Sequence, residues 1–348
     1  MAKKKILHIS LAHGGGVISA MEVYIRNSQD CEHHICYLPD ENCSISFKDE
    51  SLIASSIRLN KSITIFKEIR TAYKNLNSDY VHFHSSFAGG IGRIALADKK
   101  NKIYTPHCFS FERTDIGNLK KSLFYIAEWL LALLPTTAAG CSPRERDLAN
   151  KLGFNIIKKD QKSLFLTNYS DLDASKWQPK IRSKKKVVMV GRLCDQKDPL
   201  FFFHTFEKGK ALYPETEFVW IGDGEDRFKK IFDDAGIKYT GWVNRESIIK
   251  ILLDTDLYFP TAAWEGNPMS LLEAAAIEMP ILVRDIKASE SLGLQYKSKT
   301  PELCADLILE HFQYQLDIIN GSHNILNSVC NMQNQVEALK LLYSKYDN

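Results

Sequence analysis

Two glutamates, Glu265 and Glu273, stand eight positions apart in the stretch TAAWEGNPMSLLEAAAIEMP, residues 261–280. Between them, Asn267 is a favourable helix N-cap, Pro268 suits the first helical position, and strong helix formers follow. We therefore predict a helix that begins at about residue 268. The free N–H groups at such a helix start favour a phosphate, whereas carboxylate oxygens accept hydrogen bonds from sugar or ribose hydroxyls.

The same stretch has a simpler interpretation, a capped helix with two solvated glutamates, which the motif alone would favour. Gly266 would let a ligand approach the backbone closely. A second stretch, MVGRLCDQKDP, ends a predicted strand with Gly191, Arg192 and Lys197. The planar fork of arginine and the point charge of lysine suit a diphosphate, although two such cations alone are more often ordinary surface charges.

The rest of the chain alternates short apolar runs with amphipathic stretches, and this alternation occurs twice. Such runs, separated by single helices, predict parallel sheets buried on both faces, and hence two doubly wound domains. The first domain is predicted at 1–168, a polar linker at 169–182 and the second domain at 183–330. After Leu292 the strand pattern stops, and a helix within 331–348 is expected to pack back on the first domain.

The composition is that of a globular protein, with 348 residues, 45% of them hydrophobic and 25% charged. Its eight cysteines form no C-x-x-C pair, which is typical of reduced thiols in a cytoplasmic protein. MAKKKILHIS reads as a first strand rather than a secretory signal. The longest apolar stretch, 123–135, is too short to span a bilayer and carries Glu128, so no membrane crossing is predicted.

The net charge of +3 divides unevenly, with +7 over residues 1–170 and −4 over residues 171–348. A basic first half facing an anion and a random distribution of surface charge explain this equally well. The helix predicted at 119–134 has lysines at one end and large apolar residues along it. A buried core helix is the favoured interpretation, and a helix lying on an anionic membrane surface is the alternative.

Four loops in the second half, GR…QK, IGDGE, GWV and EGNPMSLLEA, occur in an order that resembles the donor-binding domain of retaining glycosyltransferases of the GT-B fold. More narrowly, they resemble glycosyltransferase family 4, with its E-x7-E motif. The resemblance covers most of 186–283, and GGG, DYVHFHSSFAGGIGRIA and IYTPHCFSFE extend it to the first half. It implies an α/β fold of two Rossmann-like doubly wound parallel-sheet domains facing across a cleft, with C-terminal helices.

The resemblance also implies roles for individual residues. Those expected to act in catalysis, by neutralising the diphosphate or lying near the reacting sugar, are Arg192, Lys197, Glu265 and His107. Those expected to bind the donor are Gly15, Gly16, Gly191, Trp242, Val243, Gly266, Asn267, Pro268, Met269, Leu271, Leu272 and Glu273. The chain departs from the family pattern at Cys108 and Glu278, where glycine is usual.

Retaining transfer can proceed through a carboxylate nucleophile or by a same-face route, and the residues alone leave both open. The resemblance favours the same-face route, which requires neither a metal nor a cofactor besides the nucleotide-sugar co-substrate. Asp-x-Asp pairs at Asp171/Asp173 and Asp254/Asp256 are interpreted as structural. His82 and His84 share one strand face, as zinc ligands would, but no third ligand has suitable local spacing.

The reaction implied by the resemblance is transfer of a sugar from a UDP-sugar to a glycan acceptor, expected on undecaprenyl diphosphate, in the synthesis of bacterial capsule, exopolysaccharide or O-antigen. A peripheral position on the cytoplasmic face of the inner membrane would suit that acceptor, and no nucleic-acid partner is expected. Two other functions stay open: a nucleotide-sugar epimerase or hydrolase on the same fold, and a non-catalytic nucleotide-binding subunit.

Overall fold

A computed structural model describes residues 2–11, 15–38, 50–154, 163–172, 176–314, 323 and 326–344. The chain divides into two compact units. The first contains Met1–Glu112, Ile116–Tyr169 and Cys330–Asn348, and the second contains Arg113–Asp115 and Ser170–Val329. The predicted linker, 169–182, therefore lies almost wholly at the start of the second unit's main segment.

The first unit is built on a seven-stranded parallel sheet. Its strands are β1 Lys4–Ser10, β2 Cys31–Tyr37, β3 Ile53–Arg58, β4 Tyr80–His84, β5 Lys102–Thr105, β6 Thr137–Gly140 and β7 Leu164–Phe165. They pair in the order β3-β2-β1-β4-β5-β6-β7. The helices are α1 Gly15–Arg26, α2 Ile65–Leu76, α3 Ser86–Ala95, α4 Asn118–Ala132 and α5 Pro143–Leu152.

The second unit has a four-stranded parallel sheet of β8 Lys186–Val190, β9 Glu217–Ile221, β10 Lys238–Tyr239 and β11 Leu257–Tyr258. The order is β10-β9-β8-β11, and a separate parallel pair follows, β12 Val283–Arg284 with β13 Lys297–Ser298. Its helices are α6 Pro199–Leu212, α7 Asp226–Ala235, α8 Arg245–Leu253, α9 Met269–Ala276, α10 Lys287–Ser291 and α11 Pro301–Tyr314. The predicted pair of parallel-sheet domains is confirmed.

The strands are buried on both faces, as parallel strands usually are; most of their buried side chains are apolar, and β1, β2 and β4 also carry buried histidines. In the first unit Leu7, Ile9 and Phe83 are fully buried in the central strands β1 and β4. In the second unit the core is aromatic, with Phe202 packed edge-on against Trp220 at 5.4 Å between ring centroids. Each unit has its own main core, and the first unit adds a small cluster of Met21, Ile25 and Ile35.

A last helix, α12 Met332–Leu342, belongs to the first unit. Its Gln335 is fully buried, donates a hydrogen bond to the Thr167 carbonyl (2.8 Å) and accepts one from Asn27 (2.7 Å). Tyr343, just after the helix, is also buried, and its carbonyl accepts from the ammonium of Lys4 at 2.9 Å. The chain end thus closes one side of the first unit.

Two local predictions are wrong. Strand β13 lies beyond Leu292, where the strand pattern stops, because a two-residue strand is too short to produce a pattern. Helix α4 is not a core helix, since only Glu128 and Ala132 are buried along it. The Glu128 carboxylate points inward to the fully buried Arg93 (2.6 Å) and to the Tyr104 hydroxyl (2.8 Å). That contact turns the apolar residues of α4 outward.

Among the described residues, no helix combines the length and the apolar character needed to cross a bilayer.

Candidate functional site

Each sheet reverses its strand order at one point, between β1 and β4 in the first unit and between β8 and β11 in the second. At such a point the loops after neighbouring strands diverge to opposite faces and leave a crevice that binds ligands. The loops that follow β8 and β11 carry Lys197 and Glu265, and the strands β1 and β4 carry a group of histidines. We consider the second unit first.

Gly191 comes directly after β8 and allows the loop to fold back on itself. A Cβ atom there would lie 3.0–3.1 Å from three side-chain carbons of Lys197, so the absence of a side chain lets the lysine stem cross the backbone. The Gly191 carbonyl accepts a hydrogen bond from the indole of Trp220 at 2.7 Å, which fixes the peptide. The glycine therefore positions the lysine.

The ammonium of Lys197 forms an ion pair with the carboxylate of Glu265, joining the loops after β8 and β11. The two side chains are 20% and 12% exposed. Backbone contacts hold the same two loops together, because the Thr261 hydroxyl donates to the Lys197 carbonyl (2.9 Å) and Ala263 N–H donates to the Gln196 carbonyl (2.9 Å). A cation and an acid are thus preorganised at the switch point of the second unit.

Arg192 lies beside this pair in sequence but is exposed and has no ion-pair or hydrogen-bond partner among the residues described. An unpaired guanidinium next to a neutralised lysine leaves one full positive charge on this loop. That charge is exposed, and its action on the diphosphate of a ligand stays a prediction.

The helix after Glu265 begins one residue later than predicted, so the assignment of Asn267 as N-cap and Pro268 as first helical residue is wrong. Pro268 is extended (ψ 129°), and its carbonyl already accepts hydrogen bonds from Leu271 (3.1 Å) and Leu272 (3.4 Å), so it is itself the N-cap of α9. Proline makes no side-chain cap. The N-cap residue therefore supplies no side-chain oxygen to the first N–H groups of α9, an arrangement that suits an anion there.

Glu273, inside α9, is buried and paired with Arg245 at 2.5 Å, and Arg245 also contacts Asp171 at 3.2 Å. The sequence analysis missed Arg245, which stands two residues after the GWV loop at the start of α8 but is not itself part of a motif. It holds the second glutamate of the E-x7-E motif in place. Asp171, interpreted as structural, takes part in this arrangement, and Asp173 lies outside the described residues.

The remaining predicted donor-binding residues of this unit divide by exposure. Trp242 is 69% exposed and Val243 is partly exposed in the loop before α8. The others are buried, apart from the partly buried Pro268: Gly266, Asn267, Met269, Leu271 and Leu272.

Asp254 and Asp256 are engaged by cations, since Lys180 and Lys186 hold the pKa of Asp254 at about 2, and Arg182 pairs with Asp256 at 2.7 Å.

In the first unit Gly15 and Gly16 are the first residues of α1, and both are exposed. Among the residues that the structure describes, a Cβ atom built on either would meet no atom within 4 Å. The space that a ligand would need beside these two residues is therefore open.

His107 follows β5 in a left-handed conformation (φ 48°), and Cys108 after it is also left-handed (φ 88°). The Cys108 N–H donates to the buried Glu145, which also accepts from Cys141 N–H at 2.8 Å. His107 Nε2 lies 3.3 Å from Nδ1 of His84. Burial lowers the pKa of His107 to about 4, so the ring is neutral at pH 7.

His84 belongs to a buried group at the first switch point. His8 on β1 is the Cα partner of His82 on β4, and these two and His84 hold ring nitrogens within 4.8 Å of one another, close enough for a metal ion. The sequence analysis missed His8 because it comes from another strand. Every ring nitrogen of the three already has a hydrogen-bond partner, as His82 bonds Thr105 (2.8 Å) and Tyr343 (3.1 Å).

Comparison with known proteins agrees with this geometry. Residues 172–296 match the family model of glycosyl transferases group 1. The UDP-Gal:alpha-D-GlcNAc-diphosphoundecaprenol alpha-1,3-galactosyltransferase of Escherichia coli is 31% identical over 281 residues, which cover 71% of this chain and 70% of that one. The O-antigen biosynthesis glycosyltransferase WbnH of E. coli is 30% identical over 64% of this chain and 63% of its own length. The crystal structure of Anabaena Alr3699/HepE with UDP-glucose superposes with a TM-score of 0.79 at 14% identity, covering 98% of this chain and 99% of that one.

These similarities define a glycosyltransferase, and the structural neighbours confirm the predicted GT-B fold. More narrowly, the chain belongs to the glycosyltransferases of group 1. Its relatives act in the synthesis of bacterial surface polysaccharides.

Proposed function

We propose that the protein transfers a sugar from a UDP-sugar to a hydroxyl of a glycan carried on undecaprenyl diphosphate, with retention of the anomeric configuration. The relative in E. coli is named for a UDP-galactose donor and a diphosphoundecaprenol acceptor, and the HepE structure contains UDP-glucose. The observation that carries the proposal is the fixing of both motif glutamates by cations, Glu265 by Lys197 and Glu273 by Arg245.

In this mechanism the protein stabilises the leaving UDP and orients the reactants. Arg192, Lys197 and the uncapped start of α9 face the diphosphate, and their positive charge stabilises the phosphate oxygen as the bond to the sugar breaks. Glu273 accepts hydrogen bonds from the ribose hydroxyls. The acceptor hydroxyl attacks from the face that the UDP leaves, and its proton passes to the departing phosphate oxygen.

The same cations take the place of a metal ion, so the proposed reaction requires none. The ion pair with Lys197 also lowers the nucleophilicity of the Glu265 carboxylate, which favours the same-face route over a covalent glycosyl-enzyme. Epimerase and hydrolase activities differ from this reaction in one respect that can be measured, because both consume the donor without an acceptor.

The test measures UDP release from a panel of UDP-sugars with and without an undecaprenyl-diphosphate-linked glycan, in the presence of EDTA. We expect release only with acceptor, no effect of EDTA, and an α-linked product from an α-linked donor by NMR. Release without acceptor would support a hydrolase, loss of donor without release of UDP would support an epimerase, and thermal stabilisation by UDP without turnover would support a binding subunit.

Helix α4 supplies the second part of the proposal, attachment to the cytoplasmic face of the membrane that carries the acceptor. Leu119, Leu123, Ile126 and Leu130 repeat at helical spacing and are all at least half exposed. Lys120 is exposed at the same end of the helix. The buried Glu128–Arg93 pair keeps this face outward, and an outward apolar face beside a lysine suits the surface of an anionic bilayer.

Cosedimentation with vesicles tests this attachment. We expect binding to vesicles containing anionic lipid, weaker binding to neutral vesicles, and loss of binding in Leu123→Glu. The control is Leu303→Glu, which introduces the same charge at a similarly exposed leucine of α11 in the other unit. Equal binding of the two variants would contradict the assignment of α4 as the attachment surface.

A further inference from the structure

Four histidines of the first unit form a single hydrogen-bonded row that ends at His107. His33 Nδ1 lies 3.0 Å from His8 Nε2, His8 Nδ1 lies 3.0 Å from His84 Nε2, and His84 Nδ1 lies 3.3 Å from His107 Nε2. The row crosses β2, β1 and β4 and passes through the switch point of the sheet. Each contact joins two ring nitrogens, so one nitrogen of each pair must carry the proton and the other must accept it.

Burial keeps all four rings neutral at pH 7. It lowers the pKa of His33, lowers the pKa of His8 and His84 well below the usual 6.5, and lowers the pKa of His107 to about 4. A neutral imidazole has one N–H and one bare nitrogen. A row of neutral rings therefore has only two consistent arrangements, with all protons pointing one way or all pointing the other.

The far end of the row selects between these arrangements. His33 Nε2 lies 2.9 Å from the carbonyl oxygen of Ser28, which can only accept. It also lies 3.2 Å from the Ser28 hydroxyl oxygen, whose own proton is donated to the Tyr24 carbonyl at 2.7 Å. Both contacts require a proton on His33 Nε2, and His33 Nδ1 is therefore an acceptor.

The remaining assignments follow in sequence. His8 must donate from Nε2 to His33, His84 must donate from Nε2 to His8, and His107 must donate from Nε2 to His84. The other nitrogen of His107, Nδ1, is then bare, and it has no hydrogen-bond partner among the residues that the structure describes. By contrast, His82 bonds two hydroxyl groups, which can donate or accept, so its tautomer is not fixed in this way.

We propose that the carbonyl of Ser28 sets the tautomer of His107 through His33, His8 and His84, so that His107 offers Nδ1 to a ligand as a hydrogen-bond acceptor. A bare nitrogen accepts from a hydroxyl and repels a phosphate oxygen. This position is therefore selective for a hydroxyl of the transferred sugar or the acceptor, an assignment that rests on the proposed function. His33, His8 and His84 are positioning residues, since they act through His107.

A metal ion bound by the histidines predicts the opposite tautomers. If His8 Nδ1 and His84 Nε2 both gave their lone pairs to an ion, the proton of His84 would move to Nδ1 and be donated to His107. His107 would then carry its proton on Nδ1, and it would present a donor to the ligand. The two states of the row are thus distinguishable by the positions of the protons on His84 and His107.

The primary experiment needs no substitution and no substrate. Long-range ¹H–¹⁵N correlation spectra of the ¹⁵N-histidine-labelled protein, at pH 7.5 with EDTA, report which ring nitrogen carries the proton. We expect the Nε2–H form for His33, His8, His84 and His107. The Nδ1–H form at His84 and His107 would overturn the proposal, whether it is seen with EDTA or only without it. If this form is lost when EDTA is added, the histidines bind a metal ion instead.

A pair of substitutions then tests the row itself. His8→Phe interrupts it, whereas His82→Phe removes an equally buried neighbour that is not part of it. We expect the Nδ1–H form to become populated at His84 and His107 only in His8→Phe, and no change at His107 in His82→Phe. Identical spectra for His107 in the two variants would overturn transmission through His8. If His8→Phe does not fold, His33→Phe interrupts the same row at its far end.

Kinetics separate this inference from the proposed function. Among folded variants, His8→Phe should lower kcat by up to about two-fold relative to His82→Phe, because an even mixture of tautomers leaves half of the molecules with an acceptor at Nδ1. Equal kcat values, with the tautomers as expected, would overturn the contact between Nδ1 and a substrate hydroxyl. Failure of the proposed function has a different signature, the absence of acceptor-dependent UDP release in the wild-type protein.

Discussion

The two units place polar groups at the same point of their sheets but use opposite chemistry. At the β8–β11 switch point Lys197 and Glu265 form an ion pair between loops that remain partly open to solvent. At the β1–β4 switch point His8, His82 and His84 are completely buried and neutral. One site holds separated charges and the other holds directed hydrogen bonds.

The difference teaches what each site can do for a reaction. Partly exposed charges can exchange partners when an anionic ligand arrives, because the ligand replaces the attraction that it breaks. Buried neutral rings cannot exchange partners without leaving a buried polar group unpaired, so they fix a geometry. In the proposed function the second unit responds to a diphosphate, whereas the first unit presents a preset arrangement of donors and acceptors.

The largest expected effect is the loss of stability in acid, which tests whether the histidines are neutral. Each buried histidine has a lower pKa in the folded chain than in the unfolded chain. Its contribution to stability is therefore intact above pH 6.5. This contribution is lost as the pH falls, because the unfolded chain takes up protons that the folded chain does not. For His107, whose folded pKa is about 4, the loss at pH 5.5 is about 1.4 kcal/mol of unfolding free energy, and the other buried histidines add to it in the same direction. Urea unfolding at pH 7.5 and at pH 5.5 measures the loss of unfolding free energy. The control is His204→Gln, a substitution of an exposed histidine. Equal stability of the wild-type protein at the two pH values would contradict the prediction.

The next effect belongs to the charged site. Lys197→Ala removes a cation that acts on the leaving diphosphate, and we expect kcat to fall by about 10²–10³-fold. The control is Lys238→Ala, which breaks an ion pair of similar length with Glu217 at the edge of the same sheet. If the kcat of Lys197→Ala is within about two-fold of the kcat of Lys238→Ala, Lys197 does not act on the leaving diphosphate.

A smaller effect concerns donor binding. Glu273→Gln preserves the shape of the side chain but removes the carboxylate that pairs with Arg245 and, in the proposed function, accepts hydrogen bonds from the ribose hydroxyls. We expect the Kd for UDP to rise about 10-fold. Isothermal titration of UDP measures this, with Glu217→Gln as the matched control. An unchanged Kd would separate Glu273 from the nucleotide and leave it as a structural partner of Arg245.

The smallest effect concerns a left-handed residue at a position where the family resemblance predicts glycine. Glu278, after α9, has φ 61°, and glycine adopts this conformation without the steric cost of a Cβ atom. We expect Glu278→Gly to be more stable than Glu278→Ala by about 1 kcal/mol in urea unfolding. Both variants lose the exposed ion pair with Lys176, so their difference isolates the backbone. A more stable alanine variant would contradict the assignment.

The sequence predicted the sheets well because parallel strands buried on both faces are continuous apolar runs. It also located the loops of Gly191 and Glu265, since strand ends followed by glycine and charged residues lie at one edge of a parallel sheet. It missed Arg245 because a lone arginine after an N-cap has no local signature. Its contact with Glu273, 28 positions away, exists only in the folded unit.

The histidine row could not be predicted for a related reason. His8 and His82 are neighbours only because β1 and β4 pair in one particular register, and a shift of one residue would separate them. Helix α4 was misinterpreted because apolar content predicts burial, whereas the orientation of this helix is set by one acid. The buried Arg93 holds Glu128 inward, and this outweighs the apolar residues around it.

Helix α12 has a consequence for how the protein is made. Gln335 and Tyr343 complete a unit whose first strand begins at Lys4, so β1 waits for a segment that is synthesised after the main part of the second unit. A nascent chain can finish its second unit before its first, and a premature stop after residue 330 would leave His82 without its tyrosine partner.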